Sequence, residues 1–417
     1  MSNKDNSKTL YAKYGDKMCL APFLNSFYTT NNVLKPGAAS RNVVRPCSLI
    51  NGNWEIHTAD LKAARNTPAW RQLRQDMLDG RLPEIKNCEV CNTAEHQGSS
   101  SPRQLNNDYL FEHLEIDIIA EVEKIIAADL ISDSIYALDW MPSNYCNYAC
   151  VMCHAGASSQ RFTFDIKNGK NLTYVINPVE PDFYELLKDV KILGFTGGET
   201  ILQPEVHKLI DYAIEKDLAK NMIVTILTNV SDFPDSLVEK FKQFKRVLYT
   251  VSIDGVGDVI EYQRRGAKWP TVEKNAIKIH QTPEVHEIVN YVVTAINILS
   301  AMDFVDWCHD NDLKFIAISA VFQQNELGVA AMPPELTALA LERLRAGRLR
   351  YEHYLSPTYR NFERNYVQTI DRLIGTIENV QFDPAALERF VEHIKIEDTA
   401  SKKPLREVVP EWAPWFN

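Results

Sequence analysis

The sequence lacks an uninterrupted apolar run long enough to cross a membrane, and its polar start, MSNKDNSKTL, has no apolar core of signal-peptide length. It also lacks an excess of positive charge, because 45 Lys and Arg stand against 55 Asp and Glu, for a net charge of −10. This balance argues against a general nucleic-acid binder without excluding a local basic groove, since affinity for phosphates depends on Lys and Arg. We therefore expect a cytoplasmic protein with no membrane partner.

Cysteine is scarce and unevenly placed: there are eight, most of them in two groups, and none follows Cys308. Without a signal peptide, tight cysteine groups are better interpreted as metal ligands in a reducing compartment than as disulfides. Cys308 stands apart in a helical pattern with Phe304 and Trp307, which predicts a buried structural thiol. With 417 residues, of which 45% are hydrophobic, the chain is long enough for a large core and accessory regions.

The most informative stretch is CNYACVMC, which places Cys146, Cys150 and Cys153 within eight residues. Their thiolates can converge on one polynuclear centre, and iron in such a centre prefers soft sulfur ligands. An ordinary zinc site would need a fourth protein ligand. A cubane cluster on three cysteines keeps one iron open for a small molecule. We expect His154, which follows directly, to lie outside this ligand set.

This spacing resembles the signature of the radical S-adenosylmethionine (SAM) superfamily. The resemblance implies a [4Fe-4S] cluster on Cys146, Cys150 and Cys153, with SAM as the second cofactor. It also implies an enzyme that reductively cleaves SAM to a 5′-deoxyadenosyl radical, which abstracts hydrogen from a substrate C–H bond. An electron donor such as flavodoxin or ferredoxin would be a partner.

Residues 135–330 alternate between apolar β-type runs and helical patterns, which indicates an α/β fold with a parallel sheet. The predicted strands are Ile135–Met141, Val190–Phe195, Ile223–Thr228, Arg246–Ser252, Val289–Ile296 and Phe315–Ala320. The predicted helices between them are Glu205–Lys216, Ser236–Phe244, Val272–Gln281 and Phe304–Asn311. The resemblance implies that these units form a partial (β/α)6 TIM-like barrel.

Small and polar residues follow the predicted strands, where a parallel barrel places its chemistry. The set consists of Gly197, Gly198, Glu199, Thr228, Asn229, Ser252 and Asp254. Gly197-Gly198-Glu199 resembles the family motif that receives the ammonium group of SAM, and its two glycines permit close backbone approach. Ser252 and Asp254 suit ribose hydroxyls or the methionyl carboxylate. The alternative for Asp254 is an ordinary Asp-Gly turn.

Two further positions are candidates for contact with SAM. Arg265 resembles an arginine of the peptide-modifying branch and aligns better than Arg264, and its guanidinium could grip the SAM carboxylate in bidentate fashion. Either arginine could instead be a surface cation. Asn297, after the fifth predicted strand, could also contact SAM.

The first region, residues 1–110, carries the other cysteine group: Cys19, Cys47, Cys88 and Cys91. A CxxC pair with two distant cysteines has the ligand count of a closed four-thiolate site. The order of features, including a predicted helix from Thr67 to Asp79, resembles the auxiliary-cluster twitch or SPASM modules of radical SAM proteins. Those modules commonly follow the barrel, whereas this one precedes it. An auxiliary [4Fe-4S] cluster, structural zinc and free thiols remain open.

The remaining regions are a connecting helix at 111–134 and a helical region at 331–417, whose aromatic end we expect to dock on the barrel or on a partner. The carboxy-terminal helices are predicted at Leu336–Arg348, Tyr366–Glu378 and Pro384–Ile396. Because the cysteine module resembles those of peptide maturases, a peptide or protein is the leading substrate class. The alternatives are a small-molecule or nucleotide substrate and, more remotely, a zinc-stapled scaffold without catalysis.

Overall fold

The computed structural model describes residues 3–34, 42–50, 56–81, 88–96, 101–179, 181–313, 315–318, 326–352 and 366–416. The chain divides into two compact units. The first unit contains Met1–Asn144, Asn171–Ile226 and Val238–Val247, and the second contains Tyr145–Lys170, Leu227–Leu237 and Leu248–Asn417.

The strands, numbered in chain order, are β1 Asn25–Thr29, β2 Asn31–Leu34, β3 Val43–Arg45, β4 Ile56–His57, β5 Ala137–Met141, β6 Thr173–Ile176, β7 Ile192–Phe195, β8 Ile223–Thr228, β9 Arg246–Ser252, β10 Val285–Val292 and β11 Phe315–Ile318.

The α-helices are α1 Asn3–Tyr14, α2 Ala21–Leu24, α3 Leu61–Arg65, α4 Pro68–Leu78, α5 Glu89–His96, α6 Pro102–His113, α7 Ile118–Ala127, α8 Ser159–Lys167, α9 Pro204–Glu215, α10 Asp235–Phe241, α11 Asp258–Gln263, α12 Trp269–His280, α13 Ala301–Asp310, α14 Pro334–Tyr351, α15 Tyr366–Glu378, α16 Pro384–Asp398 and α17 Leu405–Val408.

The first unit is built on a sheet with the strand order β4-β3-β1-β5-β7-β8. Strands β1, β5, β7 and β8 are parallel to their neighbours, whereas β3 pairs antiparallel with β1 and with β4. Strand β7 is the continuous apolar run ILGF and is buried throughout, as expected for a parallel strand covered on both faces. Strand β1 was not among the predicted strands, so the cysteine-rich region contributes directly to the α/β sheet.

The second unit contains β10 and β11 as a parallel pair, with β9 next to β10. Its carboxy-terminal helices bury one aromatic residue in particular: the Trp412 side chain is fully buried and lies 4.5 Å, centroid to centroid, from Phe390. Its indole Nε1 donates to the Ala295 carbonyl at 3.0 Å. The expectation that the aromatic end docks on the α/β region is confirmed by this contact.

The predicted α/β class is confirmed by the parallel pairings and by the helices that alternate with the strands. One predicted element is wrong: 111–134 is not a single helix, because α6 ends at His113 and α7 begins at Ile118. Asp117 accounts for the interruption, since its side chain accepts from the Ala120 amide at 3.0 Å and caps a new helix. The predicted strand Val289–Ile296 begins earlier, at Val285, and the last two residues of Phe315–Ala320 lie outside the described residues.

Among the described residues, none of the helices combines the length and the apolar character needed to cross a membrane.

Replacing Trp412 by Ala should reduce the free energy of unfolding by about 3–5 kcal/mol, because it removes a fully buried indole and leaves a cavity. Trp415→Ala is the matched control, since that indole is only partly buried. Denaturant unfolding of both variants checks this. Equal losses would contradict the assignment of Trp412 as the anchor.

Candidate functional site

The cysteine loop of the second unit brings Cys146, Cys150 and Cys153 together. Cys146 and Cys150 are buried, and Cys153 is partly buried. Burial raises the pKa of Cys150, and the neighbouring thiols of Cys153 and Cys146 raise it further. Burial and the neighbouring Cys146 raise the pKa of Cys153 to about 11. Cys150 and Cys153 are therefore electrostatic neighbours of each other and of Cys146.

Backbone pairing holds this loop in place. The Ala149 amide donates to the Arg265 carbonyl at 2.9 Å, and the Val151 amide donates to the Gln263 carbonyl at 2.8 Å. Gly266 closes the contact with a φ of +108°, and a Cβ there would lie 3.0 Å from the Asn147 carbonyl oxygen. Only glycine fits both the backbone conformation and this close approach. The loop therefore depends on the segment 263–266.

Hydrogen bonds also reach the sulfur of Cys146. The Tyr148 amide lies 3.5 Å from Sγ, and Asn229 Nδ2 lies 3.8 Å from it. Asn229 also donates to Asn147 Oδ1 at 2.9 Å, which fixes its carboxamide. Donors of this kind stabilise a ligating thiolate and adjust the potential of an iron–sulfur cluster. Asn229, expected to contact SAM, is thus placed beside Cys146.

Within the described ranges, no three His, Cys, Asp or Glu side chains converge on a point suited to a single metal ion. His154 is exposed, as expected for a residue outside the ligand set.

Asp254 and Arg264 form a buried ion pair at the end of β9. Arg264 Nη2 lies 2.7 Å from Asp254 Oδ2, and the Val292 amide donates to Oδ1 at 2.8 Å. Burial raises the pKa of Asp254, and Arg264 opposes this shift. Arg264 also opposes the burial effect on Cys150, so its charge stands near the thiols. Arg264 is therefore not a surface cation.

Asn297 is buried and brackets the same strand ends. Its Nδ2 donates to the carbonyls of Asp254, at 3.0 Å, and Val292, at 2.8 Å. Its Oδ1 accepts from the Thr294 amide at 2.9 Å. Both ends of the carboxamide therefore bind the protein, and Asn297 braces the strand ends.

Arg265 has a partner that sequence reasoning missed. Its guanidinium forms an ion pair with Glu397 and donates to the Glu397 carbonyl at 3.1 Å. Arg161 Nη1 binds the same carboxylate at 2.7 Å. Glu397 lies one residue beyond the predicted helix Pro384–Ile396, and an acidic residue at such a position does not reveal a partner that is distant along the chain.

Two other predicted residues of this unit stand at strand ends. Thr228 ends β8 and is buried, and its Oγ1 accepts from the Val230 amide at 3.0 Å. Ser252 ends β9 and is buried. Both positions agree with the predicted strand boundaries.

Gly197, Gly198 and Glu199 belong to the first unit and follow β7. Gly197 has a φ of +115°, and a Cβ there would lie 2.7 Å from the Ser143 carbonyl oxygen. The Gly198 amide donates to the same carbonyl at 3.3 Å. Glu199 is buried and caps the following turn by accepting from the Ile201 amide at 3.5 Å. The close approach thus occurs at Gly197.

Gln203, which was not predicted, supports the same turn. Its Oε1 accepts from the amide and the hydroxyl of Ser143, at 3.1 and 2.8 Å. Ser143 lies three residues before Cys146 in sequence. A glutamine two residues before a predicted helix carries no distinctive signal, which explains the omission.

Four cysteines of the first unit line one cavity of about 140 Å³: Cys19, Cys47, Cys88 and Cys91. Burial raises the pKa of each thiol, for Cys88 to about 12. Neighbouring thiols also raise the pKa of Cys19, Cys47 and Cys88, so the four lie close together.

Arg103 is the nearby positive charge. It opposes the burial effect on the pKa of Cys19, Cys88 and Cys91. Its Nη2 binds both oxygens of Glu95 at 2.6 Å, and its side chain is 3% exposed, so its position is fixed. The positive charge of Arg103 therefore favours the thiolate forms of these cysteines. Sequence reasoning did not single out Arg103.

Asp139 of β5 lines the same cavity. The residue opposite it on β7 is Gly194, where a Cβ would lie 1.9 Å from Asp139 Oδ1. The glycine therefore makes room for the carboxyl group. Burial raises the pKa of Asp139 to about 6.

Comparison with known families identifies the central segment. Residues 140–296 match the family model described as the radical SAM superfamily. This segment belongs to the radical SAM superfamily of enzymes. The radical SAM domain contains the cysteine loop, the turn at Gly197 and the pair Asp254–Arg264. The comparison with curated proteins gave no match.

Solved structures give more distant similarities. anSMEcpe with bound AdoMet is 19% identical, with a TM-score of 0.40, over 53% of this chain and 59% of that one. Streptococcus suis SuiB bound to the precursor peptide SuiA is 16% identical, with a TM-score of 0.36, over 77% and 68%. Streptococcus suis SuiB bound to S-adenosylmethionine is 15% identical, with a TM-score of 0.38, over 78% and 68%. The chain thus spans 59% of the length of the anSMEcpe structure.

Asp139→Asn should remove a pH dependence of stability. Because the folded-state pKa, about 6, exceeds the ordinary value of 3.8, the protonated carboxyl stabilises the fold below about pH 4, and this contribution is lost as the pH rises through 6. The loss in wild type should be about 3 kcal/mol. Denaturant unfolding at pH 4 to 7 checks this.

Asp16→Asn serves as the control, because that side chain is 85% exposed. If the difference in stability between wild type and Asp139→Asn did not change with pH, the burial of a titrating carboxyl at this position would be disproved.

Proposed function

We propose that this protein reductively cleaves SAM and uses the resulting radical to abstract hydrogen from a C–H bond, most directly in a peptide or protein substrate. One observation carries this proposal: three neighbouring cysteines, Cys146, Cys150 and Cys153, lie in a loop that backbone hydrogen bonds hold in place, inside a radical SAM domain.

The donor set suits a [4Fe-4S] cluster. Three soft thiolates are offered, and one sulfur already receives N–H donors from Tyr148 and Asn229. Cys146, Cys150 and Cys153 would hold the cluster. When bound and reduced, such a cluster supplies the electron that cleaves SAM to methionine and the 5′-deoxyadenosyl radical.

The chain's own residues would bind the cluster, orient its ligands and exclude water from the site. The Cys150 thiol must lose its proton when it binds metal. Burial opposes this loss, whereas the positive charge of Arg264 favours the thiolate. The fixed carboxamide of Asn229 orients toward Cys146, and backbone pairing to 263–265 keeps the loop in register. These features preorganise the site before a cofactor enters.

The proposed SAM contacts are Gly197, Gly198, Glu199, Thr228, Asn229, Ser252, Asp254 and Arg265. Support comes from the strand ends, since β7, β8 and β9 end at or next to these positions. Asp254 and Arg265 also have protein partners, so we propose that they shape and charge the site as well as contact the ligand. Asn297 would act on SAM through its bracing of Asp254.

We further propose that Cys19, Cys47, Cys88 and Cys91 hold an auxiliary [4Fe-4S] cluster. The shared cavity and the counter-charge of Arg103 support a four-thiolate metal site. Zinc satisfies the same ligand count, so metal content decides between them.

The substrate class rests on the resemblance of this cysteine pattern to the modules of peptide-modifying enzymes. Streptococcus suis SuiB is bound to a precursor peptide. Flavodoxin or ferredoxin would deliver the electrons. To test the class, reconstituted protein is given deuterium-labelled candidate peptides, and 5′-deoxyadenosine is analysed by mass spectrometry. Deuterium transfer supports a peptide substrate, whereas transfer only from labelled small molecules or nucleotides would replace it.

Cys150→Ala should abolish the formation of 5′-deoxyadenosine, because two thiolates cannot retain the proposed cluster. The matched control is Cys308→Ala, which removes a buried thiol of α13 outside the loop. Chromatography of reactions with SAM and a chemical reductant measures the product. Retained cleavage in Cys150→Ala would disprove the ligand assignment.

Iron content tests both cysteine groups. Reconstituted wild type should carry about eight irons per chain, and the triple Ala variant of Cys146, Cys150 and Cys153 about four, because each cubane contains four. Elemental analysis measures both metals. Zinc at Cys19, Cys47, Cys88 and Cys91 would mean that this group is a structural metal site.

A further inference from the structure

Glu397 of α16 is a fully buried acidic residue of the charged cluster around the cysteine loop. Its side chain is 0% exposed, whereas those of Arg161 and Arg265 are 5% and 16% exposed. Arg161 Nη1 lies 2.7 Å from its Oε1, and Arg265 binds its other oxygen. Both carboxylate oxygens are therefore occupied by guanidinium groups.

The other groups that face this carboxylate complete the charge balance. His393 Nε2 lies 3.5 Å from Glu397 Oε1. Asp165 pairs with Arg161 Nε at 3.2 Å and with Lys170 at 3.1 Å. Glu326 lies 3.4 Å from His393 Nδ1.

The two guanidinium groups also share one aromatic ring. Arg265 and Arg161 lie 4.4 and 4.8 Å from the ring centroid of Phe164. Each cation is thus held by a carboxylate and by an aromatic face. Their positions are specified more tightly than an exposed ion pair would allow.

Each arginine belongs to a segment that grips one part of the cysteine loop. The Arg265 carbonyl receives the Ala149 amide at 2.9 Å. Arg161 lies in the first turn of α8, whose cap Ser158 donates to the Tyr148 carbonyl at 2.5 Å. Glu397 therefore ties together two segments whose hydrogen bonds lie between Cys146 and Cys153.

We propose that Glu397 is a positioning residue for the cysteine loop, acting through Arg161 and Arg265. It lies about 100 residues beyond the segment that matches the radical SAM family, so the carboxy-terminal region completes the support of a site that the domain alone does not hold. The proposal rests on the proposed function for its catalytic meaning. The loop ordering itself can be measured without any metal.

The test compares Glu397→Gln with wild type in the full-length apoprotein. The substitution keeps the shape of the side chain and removes the charge that both arginines share. Hydrogen–deuterium exchange of peptides containing the Ala149 and Val151 amides should become at least tenfold faster, while peptides from α14 and α15 stay unchanged. Glu392→Gln, an exposed site on the same helix, should behave as wild type.

A second readout uses reconstituted protein. SAM affinity, measured by equilibrium dialysis, should weaken at least tenfold in Glu397→Gln and remain unchanged in Glu392→Gln. If Glu397→Gln fails to fold, Glu397→Asp replaces it and is interpreted in the same way, because the shorter side chain cannot reach both arginines.

If the cysteine loop of Glu397→Gln exchanged at the wild-type rate, the proposal would be overturned. Faster exchange throughout the second unit of this variant would also overturn it, because that result would indicate a general structural role. Wild-type protein that binds no iron at Cys146, Cys150 and Cys153 would instead refute the proposed function. In that case the exchange of the apoprotein would still decide whether Glu397 positions the loop.

Discussion

Charge neutralisation inside the second unit is the constraint on which the cysteine loop depends. A buried guanidinium without a carboxylate would cost several kcal/mol, so each one must be matched. Asp254 matches Arg264, and Glu397 matches both Arg161 and Arg265. Arg265 also carries a backbone carbonyl that holds the loop, since it accepts from the Ala149 amide, so electrostatics and loop geometry are coupled through a short stretch of chain.

In the first unit, different residues balance the charges near the cysteine thiols. Four thiols line one cavity, and burial disfavours their ionisation. Arg103 supplies a positive charge and is itself fixed by Glu95. In both units an arginine stands near thiols while a carboxylate holds that arginine. The repeated arrangement follows from the chemistry, because a positive charge favours a buried thiolate and a carboxylate stabilises a buried cation.

Local patterns could be read from the sequence because they are set by neighbouring residues. Three predicted features have this origin: the spacing of Cys146, Cys150 and Cys153, the apolar run of β7, and the strand β8, which was predicted with its observed bounds. Helix α4 was also located, since it lies within the predicted range from Thr67 to Asp79, with Thr67 as its cap. These patterns need no knowledge of the rest of the chain.

Long-range pairings could not be read in this way. Arg161 and Glu397 are 236 positions apart, and no local period relates them. The pairing of β1 with β5 was missed for the same reason, since it joins Asn25 to Ala137. The interruption at Asp117 was missed because apolar spacing continued through a residue that can also cap a helix.

The placement of Glu397 has a consequence for how the protein is made. The ribosome releases the cysteine loop and Arg161 more than 200 residues before it adds the shared carboxylate, a separation of 236 positions. At roughly 5–20 residues per second, that interval is on the order of 10–50 s. Throughout it Arg161 lacks the partner that permits its burial, and Arg265, which is made later, lacks it for the last 132 positions. The loop can reach its final form only after Glu397 has been added.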